Sequence, residues 1–380
     1  MSLSSSLLPR SVFASPSDQI RATEAGPTIK ANPFPVSQTL RPRVDFLVKV
    51  FTEWDSRTLI AHDSNDVTKV VEVMKVAASD SVPKALRKLE KKWKRSRSGV
   101  RIQQGLKDKF EAGYTESARY LPEMEAVFEQ MGLPILLTRL PFVESSFNIA
   151  ARSKVGAVGM WQFMRSTGRQ YLKINSVMDE RIDPIRSTEA AAKLMRNNID
   201  TLTYWPLAIT AYNHGKMGVL RATKTLMSHD LDVIIRHYQK RSFGFASENF
   251  YASFVAATEA EEKLKKALPK ITRAARWNVF EVTLPQAIKS SNLCTGLQMS
   301  CSELQSLNPS LARVVWSNRV SMPANIRLRL PLRNGQLVTL AVQSFYENFG
   351  SIPVKQKVYA NAYRNVASRP TVKPKASRRK

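Results

Sequence analysis

Only two cysteines, Cys294 and Cys301, occur in 380 residues. That is too few for a disulfide framework, and neither belongs to the paired-ligand spacing of a zinc site. Their separation permits one small-loop disulfide in an oxidising compartment. Histidine is nearly as scarce: there are four, with no H-x-x-x-H pair. No metal or other cofactor is therefore expected. No run of about eighteen apolar residues occurs, which excludes an ordinary membrane-spanning helix. The opening MSLSSSLLPRSVFASPSDQI lacks a basic start and an apolar core, so it does not read as a signal peptide. Acidic residues are few as well, 31 against 58 Lys and Arg, for a formal net charge of +27.

That excess implies an acidic partner: nucleic acid, anionic lipid or an acidic envelope polymer. Its placement narrows the choice. Residues 84 to 101 hold nine Lys or Arg against one Glu, and residues 355 to 380 hold nine with no acid. Over residues 141 to 260 the balance is 15 basic to 10 acidic. Most of the charge thus lies outside the chemically distinctive part of the chain, which suits electrostatic association with acidic wall or membrane material. No helix-turn-helix, RNA-recognition or zinc-finger pattern appears, so nucleic acid is not expected as a partner.

What is present suffices for a sizeable core, since 43% of the chain is hydrophobic. Its length suggests two or three domains. Residues 1–42, with six prolines and many serines, read as a flexible leader. Residues 43–139 read as helical: Phe46, Val50, Phe51 and Trp54 form one stripe, and Phe110, Tyr114, Tyr120, Met124 and Phe128 recur near helical spacing. A helix rich in Ala, Leu and Met follows, with Ser187 or Thr188 as its N-cap, and Gly215 and Gly218 mark a helix end or a close backbone approach. DERIDP, with Asp179, Glu180 and Asp183, reads as local ion pairs. Beyond about residue 270, VFEVTL and NIRLRLPL alternate like strands around the short helix SCSELQSLNP. The tail 355–380 is basic and reads as disordered.

One stretch carries chemistry: PFVESSFNIAARSKVGAVGMWQFM, residues 141 to 164. It sets Glu144 among Leu140, Phe142, Phe147 and Trp161. A carboxyl group in such surroundings loses solvation of its charged form, so its pKa should rise. A raised pKa lets Glu144 donate a proton near neutral pH, as a general acid in glycoside cleavage must. Glycosidases ordinarily use two carboxylates. Yet no Asp or Glu other than Glu144 occurs from Val143 to Met178. A single acid leaves either a distant partner or a substrate that supplies its own nucleophile.

The segments ESSFNIAARSKVGAVGMWQFM, DERIDP, WPLAITAYNHG and FGFASENFYASF together resemble the lytic transglycosylases of bacterial peptidoglycan, the goose-lysozyme-like glycosidases of family 23. The likeness is greatest to the membrane-bound lytic transglycosylase D group and extends from about Arg101 to Ala260. It implies a mainly α fold: a goose-lysozyme-like catalytic domain over 140–268, an N-terminal helical extension, and a small α+β LysM-like module over 277–332 that lacks the usual Gly-Asp-Thr opening. It implies Glu144 as the one catalytic acid and base. Ser153, Gln162, Met164, Tyr212, Asn213 and Tyr251 match the residues that bind and orient the sugars. The implied reaction is non-hydrolytic cleavage of glycan strands to 1,6-anhydromuramyl ends, in the periplasm or cell envelope. A hydrolytic lysozyme-type muramidase and an inactive peptidoglycan-binding protein are the alternatives.

Overall fold

The computed structural model describes residues 33–96, 99–267, 272–333 and 336–350. The chain divides into Met1–Pro33 and Phe34–Lys380, and the described residues fall almost wholly in the second unit. The leader expected over 1–42 lies outside the described residues as far as 32. From Phe34 onward the chain is packed, which shortens that expectation. Phe34 is buried edge-on against Trp205 and Phe254, at 5.8 and 4.9 Å between ring centroids.

The first part of this unit is not wholly helical, contrary to the periodicity reading. Helix α1 (Arg41–Thr52) is followed by β1 (Thr58–Asp63) and β2 (Val70–Lys75), then α2 (Val82–Ser96) and β3 (Val100–Gln104). The strands form an antiparallel sheet of order β2-β1-β3. The central strand TLIAHD is buried from Thr58 to His62. A strand covered on both faces shows no polar alternation, so its sequence carries no period of two. Helix α2 is strongly amphipathic. Its Leu89 packs with Leu59 and Val76, flanked by Leu86 and Trp93, while Lys84, Arg87, Lys88, Lys91 and Lys94 face outward.

The catalytically suggestive region is built from short helices: α3 (Lys107–Ser117), α4 (Leu121–Gln130), a 3-10 turn (Ile135–Arg139), α5 (Leu140–Glu144) and α6 (Arg165–Gly168). Longer helices enclose them: α7 (Pro184–Leu202), α8 (Trp205–His214), α9 (Lys216–Leu226), α10 (Leu231–His237) and α11 (Phe245–Ala267). The expected aromatic stripes enter one continuous core. Helix α7 is capped four residues before Ser187 and five before Thr188, the two expected caps. Asp183 is its N-cap, accepting from the N–H of Ile185 and Arg186 at 3.0 and 2.8 Å. Pro184 then takes the first helical position, where its missing N–H costs nothing. Gly215, at φ +86°, separates α8 from α9.

The C-terminal part pairs β4 (Val279–Thr283) antiparallel with β5 (Arg327–Pro331) around α12 (Ser290–Gly296), α13 (Cys301–Leu307) and α14 (Arg313–Trp316). Cys294 and Cys301 form a disulfide. This part runs past the expected end at 332, because α15 (Val338–Phe349) buries Phe345 and Tyr346 in the same small core. The basic tail 355–380 lies outside the described residues.

Candidate active site

Helix α5 has only five residues, and its position is fixed by aromatic anchors on either side of Glu144. Phe142 packs against Phe110 of α3 and against Phe147, each at 4.6 Å between centroids. After Glu144 the chain reverses, with Ser145 and Phe147 N–H both donating to the Pro141 carbonyl at 3.0 and 3.1 Å. This turn puts Ser146 and Phe147 at φ 51° and 60°. Left-handed backbone at two consecutive non-glycine residues costs on the order of 1–3 kcal/mol each and persists where neighbours overdetermine it. Burial of Phe147 does so here, as does α3, whose Gly113 comes so close that an added Cβ would lie 2.7 Å from the Ser146 carbonyl oxygen.

The second wall is the loop 151–163. Its two limbs are bridged at Arg152 and Val158 and again at Val158 and Phe163. Gly159, at φ +84°, has its α-carbon against the Arg181 carbonyl, where no side chain fits. The Arg181 guanidinium donates to the carbonyls of Gly156 and Phe163, both at 3.2 Å, while both oxygens of Asp179 hold it at 3.0 and 2.8 Å. One buried cation thereby closes the loop. Trp161 anchors it from below, its indole N–H donating to Thr188 Oγ1 on α7 at 2.8 Å.

Two hydrogen bonds bring the walls together. Ser145 Oγ donates to the Met160 carbonyl at 2.8 Å, and Tyr212 Oη on α8 donates to the Trp161 carbonyl at 2.9 Å. Gln162 follows in the same strip at φ 49°, its side-chain amide donating to the Gly159 carbonyl at 2.7 Å. Glu144 stands beside this seam, partly open at its surface. Among the described residues nothing hydrogen-bonds its carboxyl, and burial pushes that group up to about 8. Burial also raises Tyr212 well above the usual phenol range, and the charge of the nearby Glu144 adds to the effect.

Of the expected residues, Glu144, Gln162 and Tyr212 converge on this seam. Ser153 sits on the far limb of the loop, its Oγ accepting from Ala157 N–H at 2.9 Å. Met164 follows the loop at 41% exposure. Asn213 is exposed at the end of α8, where its Oδ1 accepts from Ser247 Oγ at 3.3 Å. Tyr251 is set apart: its side chain is buried, at 1% exposure, and its hydroxyl donates to the Pro35 carbonyl at 2.7 Å. Sequence reasoning missed Arg181 as the clamp of the loop. DERIDP was legible as ion pairs, but nothing in it points to carbonyls 18 and 25 residues away. It also missed Phe250, which stacks on Tyr212 at 6.3 Å. Among the described residues no group of three or more His, Cys, Asp or Glu could hold a metal, and no helix is long and apolar enough to cross a membrane. A cleft of about 360 Å³ among Thr39, Arg43, Asn65, Asp232 and Glu248 does not include Glu144.

Residues 125–234, which contain Glu144, the loop and Tyr212, match the Transglycosylase SLT domain. The chain carries a transglycosylase SLT domain. Over 99 residues it is 41% identical to the membrane-bound lytic murein transglycosylase D of Escherichia coli strain K12, and to that of Escherichia coli O6:H1 to the same degree. These alignments cover 26% of this chain and 22% of each relative. A solved structure of an inactive mutant of the lytic transglycosylase Slt from Pseudomonas aeruginosa shares 21% identity over 39% of this chain and 24% of that one, at a TM-score of 0.30. The SLT domain match ends at 234, so α11 and the C-terminal part stand outside it.

Proposed function

We propose that this protein cleaves the β-1,4 bond between MurNAc and GlcNAc in peptidoglycan without water, leaving 1,6-anhydro-MurNAc ends. The single observation that carries the reading is the place of Glu144, beside the seam between the loop and α8 and inside the SLT match, with no described residue hydrogen-bonding its carboxyl. Its carboxyl is raised to about 8 by burial alone, with no neighbouring acid contributing. A lone acid that is protonated near neutral pH fits a reaction in which the substrate supplies the nucleophile.

The steps balance within the substrate. Glu144 gives its proton to the glycosidic oxygen as the bond from that oxygen to the muramyl C1 breaks. The carboxylate so formed takes the proton of the muramyl 6-hydroxyl, and O6 bonds to C1. Glu144 ends protonated, and no water is consumed. Tyr212 and Gln162 would hold the seam beside the cleaved bond, with Ser153, Met164 and Asn213 lining the path of the strand. Tyr251 would support that wall through its bond to Pro35 rather than touch the sugar.

The substrate places the site of action in the periplasm or cell envelope, and glycan strands are the partner. The antiparallel β4–β5 pair with helices between supports reading the C-terminal part as a LysM-like module. The test is Glu144→Gln, which keeps the shape but can neither give nor take a proton. Turnover of purified sacculi should fall by at least roughly 100 to 10,000-fold, the usual contribution of one general acid or base. Near-normal turnover would overturn the reading.

A further inference from the structure

The C-terminal module is joined edge to edge with the SLT domain. Met178 bridges Leu311, Asp179 N–H donates to the Ser310 carbonyl at 2.8 Å, and Ala312 N–H donates to the Val177 carbonyl at 2.8 Å. Met178 itself belongs to the apolar core of the module. Two ion pairs add to this seam, the first of them buried on both sides. Arg329 binds both carboxylate oxygens of Asp183 at 2.7 Å, and Arg186 pairs with Glu281. Such a junction fixes the module against the domain.

A cavity of about 320 Å³ opens at the junction, lined by Arg152, Asn175 and Asp179 on one side and by Ser310 and Arg313 on the other. That volume is within the range of small-ligand sites. Its charge is unbalanced. Arg152 and Arg313 are exposed and form no ion pair among the described residues. Asp179, the carboxylate in the lining, is already taken through both oxygens by Arg181. Asn175 turns its Oδ1 to the N–H groups of Val177 and Met178, both at 2.8 Å, which leaves its NH2 free to donate. Apart from Asp179, whose oxygens Arg181 holds, the polar side chains of the cavity offer donors to an anion. Arg152 also neighbours Ser153 in the active-site loop.

We propose that this cavity is a subsite for the carboxylates of the peptide carried by a glycan strand, bound jointly by Arg152 of the loop and Arg313 of the module. The proposal rests on the reading of Glu144 as a glycan-cleaving acid. A strand lying along the loop that holds Ser153 would carry its peptide toward Arg152, the adjacent residue of that loop and part of the cavity lining. Guanidinium groups are suited to it, because their planar forks match carboxylate geometry. The module then reads the substrate's peptide, in a role separate from holding sugar.

Binding to the full chain carrying Glu144→Gln tests this, since turnover is then removed from the readout. Short glycan strands bearing their peptides, and the same strands stripped of peptide by an amidase, are titrated by calorimetry. Stripped strands should bind roughly 10-fold more weakly, the loss expected for one or two charge-assisted hydrogen bonds. Adding Arg313→Ala should weaken the peptide-bearing strand by part of that factor and leave the stripped strand unchanged, and Arg313→Lys should recover some of the loss. Arg313 is an exposed first residue of α14, so the fold does not depend on it. Equal affinity for the two strands, or an Arg313→Ala loss shared by both, would overturn the subsite even if the wild type cleaves normally. A wild type that cannot cleave but keeps the peptide preference would overturn the reading of Glu144 and leave the subsite standing.

Discussion

Tyr212 hands its only hydroxyl proton to the carbonyl of Trp161, 2.9 Å away, and so joins α8 to the loop that faces Glu144. The phenol is held in place between Phe250, stacked at 6.3 Å, and the tilted ring of Trp161. Removing the hydroxyl alone should loosen the seam and leave the packing intact. Tyr212→Phe is expected to lower kcat/KM by about 10-fold, since one buried hydrogen bond is worth roughly 1–2 kcal/mol. A variant with unchanged kcat/KM on sacculi would show that the bond does no positioning.

Glu144 makes two pH predictions. The acid form is needed first, so kcat/KM should fall as pH rises through about 8. For stability, a carboxyl whose folded pKa lies above its ordinary 4.5 binds more protons folded than unfolded between those values. The folded state therefore loses stability from pH 4.5 upward, and the loss is complete near pH 8. Glu144→Gln should remove that slope, so denaturation midpoints of wild type and variant should be similar near pH 4.5 and diverge in the variant's favour toward pH 8.5. Parallel curves would contradict the raised pKa.

The same reasoning that found Glu144 explains which parts of the fold were legible. A carboxylate among Phe142, Phe147 and Trp161, with no acid following for many residues, is a local anomaly that a sequence displays directly. The helical stripes of α1, α3 and α4 were visible because each buries one face. Strand β1 was hidden because both of its faces are covered, and helix α15 because its apolar residues follow a stretch that reads as the end of a module. The contacts of Arg181 and Tyr251 were illegible for another reason. Their partners, the carbonyls of Gly156, Phe163 and Pro35, are backbone atoms that no residue pattern marks.

The Asp183 to Arg329 pair should be costly to break. Asp183 caps α7 with one oxygen and takes Arg329 with both, at 4% side-chain exposure for the arginine. Arg329→Ala leaves that carboxylate buried without its guanidinium, an arrangement that costs about 3–5 kcal/mol. Denaturant titration should report that loss, together with exposure of Trp277, whose ring lies under the Arg329 guanidinium. A loss under about 1 kcal/mol would mean that the pair is solvated.

Helix α2 displays its cations on one face, with the apolar side packed under it. Reversing Lys84, Lys88 and Lys91 to Glu should weaken low-salt binding to sacculi or anionic vesicles without unfolding the sheet beneath. The difference should shrink as ionic strength passes about 0.15 M, where screening falls to about 8 Å. Identical binding at low salt would remove α2 from the account of the net charge.

Mass spectrometry of the fragments released from purified sacculi by the wild-type protein tests the central claim most directly. Cleavage by Glu144 with the muramyl 6-hydroxyl as nucleophile predicts ends one water lighter than hydrolysis products and resistant to borohydride. Reducible muramyl ends as the main product would contradict it and make the protein a hydrolase.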